Sequence, residues 1–146
     1  MRKIAIGSDH AGFERKQHII NYLRSLGWEV EDFGTNSMDS TDYPEYAHKV
    51  ALAVENKYVD FGVLFCGSAN GVSMTANKHQ GVRAALSWNP EIARLGKEHN
   101  NANVVAIPAR YVSNAEAEKI VKAFLDAEFE GGRHLRRVNK IPADSH

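Results

Sequence analysis

The stretch Phe61-Gly62-Val63-Leu64-Phe65-Cys66-Gly67-Ser68-Ala69-Asn70-Gly71 decides the fold. Residues 61–66 are the most apolar run in the chain and show no polar alternation. A strand of that kind is covered on both faces, the condition of a parallel sheet flanked by helices. The glycines and small polar residues that follow end the strand, and helical spacing resumes to about residue 78. Strand, tight loop and helix in that order form the first half of a parallel crossover.

The same alternation extends in both directions. Upstream, residues 3–6 read as a strand. A helix follows, with Phe13, Ile19, Ile20, Leu23 and Leu26 on its apolar side and Glu14, Arg15, Lys16 and Arg24 on its polar side. Gly27 suits the helix end, and residues 28–33 read as a second strand. Pro44 places a helix start near Tyr43, with Tyr46, Ala47, Val50, Ala51 and Val54 as the buried stripe. Downstream, residues 82–86 and 103–107 are strands, separated by a helix from Asn89-Pro90-Glu91 to about His99. Ser113-Asn114-Ala115-Glu116 is a capping box opening a helix through Ala117, Ile120, Val121, Phe124 and Leu125. Gly131-Gly132 then breaks the chain before a basic helical segment, 133–140. Strands alternating with helices predict an α/β fold with a five-stranded parallel sheet and right-handed crossovers.

Composition narrows the function classes. The chain has 146 residues, with 18 Lys plus Arg against 18 Asp plus Glu, so the formal net charge is +0. That length suits one domain over residues 1–146. Hydrophobic residues at 43% and charged residues at 25% supply a core and argue against disorder. A neutral domain lacks the broad basic field of a general nucleic-acid binder. The lone Cys66 excludes an intrachain disulfide and fits a reducing compartment. Ile4-Ala5-Ile6 is too short for a signal-peptide core, and no run approaches the ~20 apolar residues of a membrane span. These features predict a soluble, cytoplasmic protein with no membrane partner.

Ligands of open parallel sheets bind beyond the carboxyl ends of the strands. That rule selects Asp9-His10, the loop 66–71, residues 87–89 and Arg110. Glycines in the 66–71 loop let a backbone approach a ligand, and amides at a helix start suit an anion or a developing oxyanion. Cys66 is then either a base beside those amides or a small buried hydrophobe. Asp9 is either a ligand group or a helix N-cap, and His10 either a ligand group or a hydrogen-bonded loop histidine. His99 sits at a helix end, where the dipole alone accounts for it, or transfers a proton near neutral pH. Arg133 and Arg137 share a helical face, as a solvated tail or a phosphate grip that Arg110 could join. His10, His18, His48, His79 and His146 are scattered without metal-motif spacing, so no metal is expected.

Together these segments resemble the ribose-5-phosphate isomerase B family, which also contains allose- and galactose-6-phosphate isomerases. The likeness spans nearly the whole chain. It rests on Gly7-Ser8-Asp9-His10-Ala11-Gly12, Asp32-Phe33-Gly34-Thr35, Thr41-Asp42-Tyr43-Pro44 and Cys66-Gly67-Ser68-Ala69-Asn70-Gly71-Val72-Ser73. It continues in Ala76-Asn77-Lys78, Gly81-Val82-Arg83-Ala84, Glu98-His99-Asn100-Asn101-Ala102-Asn103 and Glu130-Gly131-Gly132-Arg133-His134 with Arg137. The resemblance implies a Rossmann-like three-layer α/β/α sandwich and a cofactor-free aldose–ketose isomerase acting on a small phosphorylated sugar. Cys66 would be the base, and His99 would open the furanose ring with help from Asp9. The backbone of Gly67, Ser68, Ala69, Asn70 and Gly71 would hold the enediolate. His10, Arg110, Arg133 and Arg137 would hold the phosphate, and Asn100 and Tyr43 would contact the sugar. The site would form at a homodimer interface, with residues 131–146 packing there, and dimers could pair into tetramers.

The chain departs from the family pattern in places. Ser68 replaces a usual Thr, Ala69 a usual Gly, and Asn70 a usual aliphatic residue. A left-handed backbone at Ala69 would work against its Cβ. Val72 occupies the position where another branch carries a carboxylate base, which directs the base role to Cys66. Alternatives are a six-carbon aldose 6-phosphate as substrate, a phosphosugar-binding module without catalysis, or an RNA-binding basic tail.

Overall fold

A computed structural model describes residues 2–143. Strands β1 (Lys3–Ser8), β2 (Glu29–Asp32), β3 (Phe61–Cys66), β4 (Ala84–Leu86) and β5 (Val104–Pro108) form one parallel sheet, ordered β2-β1-β3-β5-β4. The helices are α1 (Phe13–Ser25), α2 (Tyr43–Glu55), α3 (Asn70–Ala76), α4 (Pro90–Asn100), α5 (Asn114–Asp126) and α6 (Arg133–Val138). A short 3₁₀ turn, His10–Gly12, links β1 to α1.

Side chains alternate across the strands and divide the core in two. Ile4, Ile6, Val63, Phe65, Val105 and Ile107 meet α1, α4 and α5 through Ile19, Leu23, Ala93, Ile120 and Phe124. Ala5, Leu64, Cys66, Val104 and Ala106 meet α2 and α3 through Val50, Val54, Val72 and Ala76. Both faces are dry, which is why residues 61–66 carry no polar alternation. A fully buried side chain of the Phe65 or Leu64 type stabilises by about 1.5–3 kcal/mol.

Helix ends follow the sequence signals. Ser113 and Glu116 form the reciprocal capping box of α5. Asn89 accepts the Ile92 amide at 2.9 Å, Pro90 opens α4, and Asn101 closes it in the left-handed region at φ 51°. Several boundaries differ from the sequence reading. β4 starts at Ala84, because the Val82 amide is spent in a turn on the His79 carbonyl. α3 stops at Ala76, α6 stops at Val138, and β5 runs on to Pro108. Residues 144–146, the end of the predicted interface segment, lie outside the described residues.

Two lysines break the apolar pattern. Lys16, expected on the polar side of α1, is fully buried and donates to both Asp32 oxygens at 2.9 Å. Its ammonium also reaches Gln17, so the charge is paired and hydrogen-bonded as burial requires. Lys97 lies between α4 and α5, donates to the Phe124 carbonyl at 2.9 Å and sits over the Phe61 and Phe124 rings. Burial pushes its ammonium down to about 8, against the pull of Asp126 and Glu128. Among the described residues, no helix is long and apolar enough to cross a membrane.

Candidate active site

The chain leaves β1 towards one face of the sheet, through α1, and leaves β3 towards the other, through α3. The crevice between two such neighbouring strands is where open α/β sheets bind ligands. A cavity of about 490 Å³ lies there. Asp9, His10, Tyr43, Cys66, Gly67, Ser68, Asn70, Gly71 and Arg110 line it, with Ala11, Met74 and Tyr111.

Each side chain is fixed by local structure. Asp9 caps the 3₁₀ turn, its Oδ1 accepting the Ala11 and Gly12 amides at 3.0 and 3.3 Å. The capping role is therefore real, and those two bonds leave Oδ2 unused. His10 Nδ1 accepts the Thr41 amide at 3.2 Å, so the proton of the neutral ring belongs on Nε2 and that nitrogen is a donor. Parallel pairing continues past the strand ends: Ala109 N donates to Cys66 O at 2.9 Å and Arg110 N to Gly67 O at 3.1 Å. This lays the Arg110 side chain over Gly67. The thiol of Cys66 is buried, closes the second core layer, and borders the cavity.

The loop after Cys66 presents main chain. Ala69 adopts φ 67°, the left-handed conformation anticipated from its position. Its methyl is fully buried, so Ala69 offers the cavity backbone and no side chain. Ser68 Oγ accepts from the Asn70 amide and side chain at 3.3 and 3.2 Å, which turns the hydroxyl toward the start of α3. Amides at a helix start have no intrahelical partner, so this loop can stabilise negative charge. Gly71 is required by the close approach of Tyr43: a Cβ there would stand 2.5 Å from the ring.

His99, Asn100, Arg133 and Arg137 are not in this cavity. A helix between parallel strands runs antiparallel to them, so the end of α4 reaches the amino-terminal edge of the sheet. The six residues of β3 separate the two edges by about 17 Å. α6 packs beside α4 at that far edge, where Glu130 N donates to Glu98 O at 3.0 Å. Positive φ at Gly131 and Gly132, 68° and 56°, folds the chain back so that His134 stacks on His99. Arg133 and Arg137 stand exposed on α6. A separate cavity of about 290 Å³ at this edge includes Asn100, Arg83 and Ile141 but not Cys66.

Sequence spacing gave no metal motif, yet His99, Glu130 and His134 bring one potential ligand atom each within 4.8 Å of one another. The two imidazoles are stacked at 4.4 Å and 12°. Their in-plane lone pairs lie in nearly parallel planes and do not converge on one ion, so the arrangement fits ring stacking better than a metal centre. Burial, the neighbouring His99 and the Arg133 guanidinium push the His134 imidazole below the usual histidine range. Met74 and Tyr111 on the cavity rim, and Glu130 and His134 beside His99, were not among the expected site residues. Glu130 and His134 do fall inside a quoted motif, which was the available signal.

Comparison with known proteins agrees with this fold. The family model described as Ribose/Galactose Isomerase matches residues 4–141. Ribose-5-phosphate isomerase B of Escherichia coli is 48% identical over 143 residues, covering 98% of this chain and 96% of that protein. The crystal structure of a ribose 5-phosphate isomerase from Thermotoga maritima superposes with TM-score 0.94 at 50% identity, covering 96% and 97% of the two chains. The Mycoplasma genitalium ribose-5-phosphate isomerase B, solved with bound ribulose-5-phosphate, gives TM-score 0.92 at 45% identity over 95% and 93%. With the family model matched over residues 4–141 and relatives of 45–50% identity covering nearly its full length, the chain belongs to the ribose/galactose isomerase family.

Proposed function

We propose that the protein interconverts ribose 5-phosphate and ribulose 5-phosphate through an enediolate, without a cofactor, in a site shared by two protomers. The observation that carries this reading is the cavity in which Cys66 borders the 67–71 amide loop, with the donors His10 and Arg110 also lining it. The ribulose-5-phosphate complex of the Mycoplasma relative supports the substrate.

The chemistry follows from the groups present. His99 of a second protomer donates a proton to the ring oxygen as the anomeric hydroxyl loses its own, with Asp9 beside the hydroxyls. The Cys66 thiolate then removes the C2 proton of the open aldose, giving a thiol and an enediolate. The C2 hydroxyl proton passes to the C1 oxygen and the thiol returns its proton to C1, leaving the ketose and the regenerated thiolate. Charge on the enediolate oxygens is met by the loop amides and Ser68; one such donor lowers the barrier by about 3–4 kcal/mol. The phosphate is held by His10 and Arg110 from one protomer and by Arg133 and Arg137 from the other. That grip orients the reacting carbons from a distance. Asn100 and Tyr43 contact the sugar.

The test is turnover of ribose 5-phosphate by purified protein in the presence of a chelator. Cys66→Ala should abolish turnover and solvent exchange at C2 while phosphosugar binding persists. Unchanged turnover in Cys66→Ala ends the cysteine-base assignment, and binding without exchange by the native chain marks a binding module. Parallel kinetics with allose and galactose 6-phosphates assign the sugar.

A further inference from the structure

We propose that His134 and Glu130 are positioning residues for His99: the buried His134 ring sets the plane of the His99 imidazole, and the Glu130 carboxylate sets which edge that ring presents. This rests on the reading above that His99 opens the sugar ring. His99 itself is half-exposed at the last turn of α4, where a lone imidazole would swing freely. It is instead stacked on His134, which is only 8% exposed. His134 Nε2 is buried without a hydrogen-bond partner, a feature native cores rarely leave without a reason. That nitrogen and His99 Nε2 both face Glu130 Oε1, at 3.5 and 3.8 Å.

The three residues are tied together through backbone as well as side chain. The Glu130 amide is bonded to the Glu98 carbonyl, one residue before His99, so the carboxylate is delivered to the end of α4 by the main chain. The two glycines that follow turn the chain to seat His134 on the same ring. The flat His134 ring fixes the plane of the His99 imidazole from one side, and the Glu130 carboxylate, 3.8 Å from its Nε2, fixes how that ring is turned. A proton donor held in one orientation is what ring opening requires, and proton abstraction by Cys66 does not depend on it.

The experiment separates those two steps. Ribulose 5-phosphate has its carbonyl at C2 and its phosphate on O5, so it cannot close a five-membered ring and needs no opening. Solvent-deuterium exchange at its C1 therefore reports Cys66 chemistry alone, whereas conversion of ribose 5-phosphate needs both. Glu130→Gln and His134→Ala are expected to lower kcat/KM for ribose 5-phosphate about tenfold, a fraction of what general acid–base catalysis supplies, with C1 exchange unchanged. His134→Phe, which keeps a flat ring, should recover most of the loss. The Glu130 side chain is 52% exposed, so its variant tests the idea without disturbing the fold. Equal losses in exchange and conversion, or no loss in either, overturn the proposal. His99→Asn is the control: the same split there upholds ring opening by His99, so its absence in the other variants sinks the positioning role alone. Equal losses in His99→Asn sink the ring-opening reading first.

Discussion

Cys66→Ala and His99→Asn should each be inactive alone and partly active together. Cys66 ends β3 at the carboxyl edge of the sheet, and His99 ends α4 at the amino edge, with the 11 residues of α4 spanning about 16 Å between. No five-carbon ester bridges that gap within a chain, so a site that uses both residues, as proposed, takes one from each protomer. Co-refold the two variants in equal amounts. Half of a two-fold dimer population is then mixed, and each mixed dimer has one site carrying both lesions and one carrying neither, so activity returns to about one quarter of native. Each variant alone should retain about 1% or less, since general acid–base groups contribute roughly 10²–10⁴-fold. The assay is ketose formation from ribose 5-phosphate, with mixed dimers verified by two affinity tags. Verified mixed dimers that stay at the single-variant level would refute the shared site, because a site built within one chain leaves every site with one lesion.

Other consequences are open to direct measurement. Lys97 has a folded-state pKa near 8 against 10.5 for the ordinary side chain, so between those values the unfolded chain holds more protons and stability rises with pH. The burden on the fold is about 3 kcal/mol at pH 7, about 2 at pH 9 and under about 1 at pH 10. Urea denaturation of native protein and Lys97→Met across this range should show a difference curve of that slope; a flat difference contradicts it. Gly71→Ala would place a methyl 2.5 Å from the Tyr43 ring, costing about 1–3 kcal/mol and lowering turnover at least about tenfold. Native stability and turnover in that variant would show that Tyr43 yields freely. Ala69→Gly should leave stability nearly unchanged. Relief of the left-handed backbone, about 1–2 kcal/mol, is offset by a lost buried methyl of about 0.8 and a more flexible unfolded chain. A shift beyond about 2 kcal/mol in denaturation would show that one term dominates.

Much of the architecture was legible because parallel sheets write themselves plainly. Residues 61–66 are apolar throughout since α2 and α3 cover one face and α1, α4 and α5 the other. Capping at Ser113 and Asn89 was equally readable, because those bonds join near neighbours. Lys16 was not: its helical position looks polar until Asp32, distant in sequence, supplies the counter-charge. The Cys66 loop, Asp9, His10 and Arg110 could be located from strand ends alone. Their separation from His99 was implicit in the alternation, since a returning helix ends at the opposite edge. The stacking of His134 on His99 was hidden, because it depends on two glycine torsions that composition does not reveal.

The Thr41–His10 bond links recognition to a bend on the surface. Residues 36–40 are exposed, yet the amide that follows them holds an imidazole that lines the cavity. While that hook is closed, the ring presents its N–H outward as a ready prong. Once it opens, the ring is free to turn, and under the proposed reading the phosphate can meet its lone pair in place of its N–H. On that reading grip strength is set from outside the pocket, by the posture of five exposed residues that do not line the cavity.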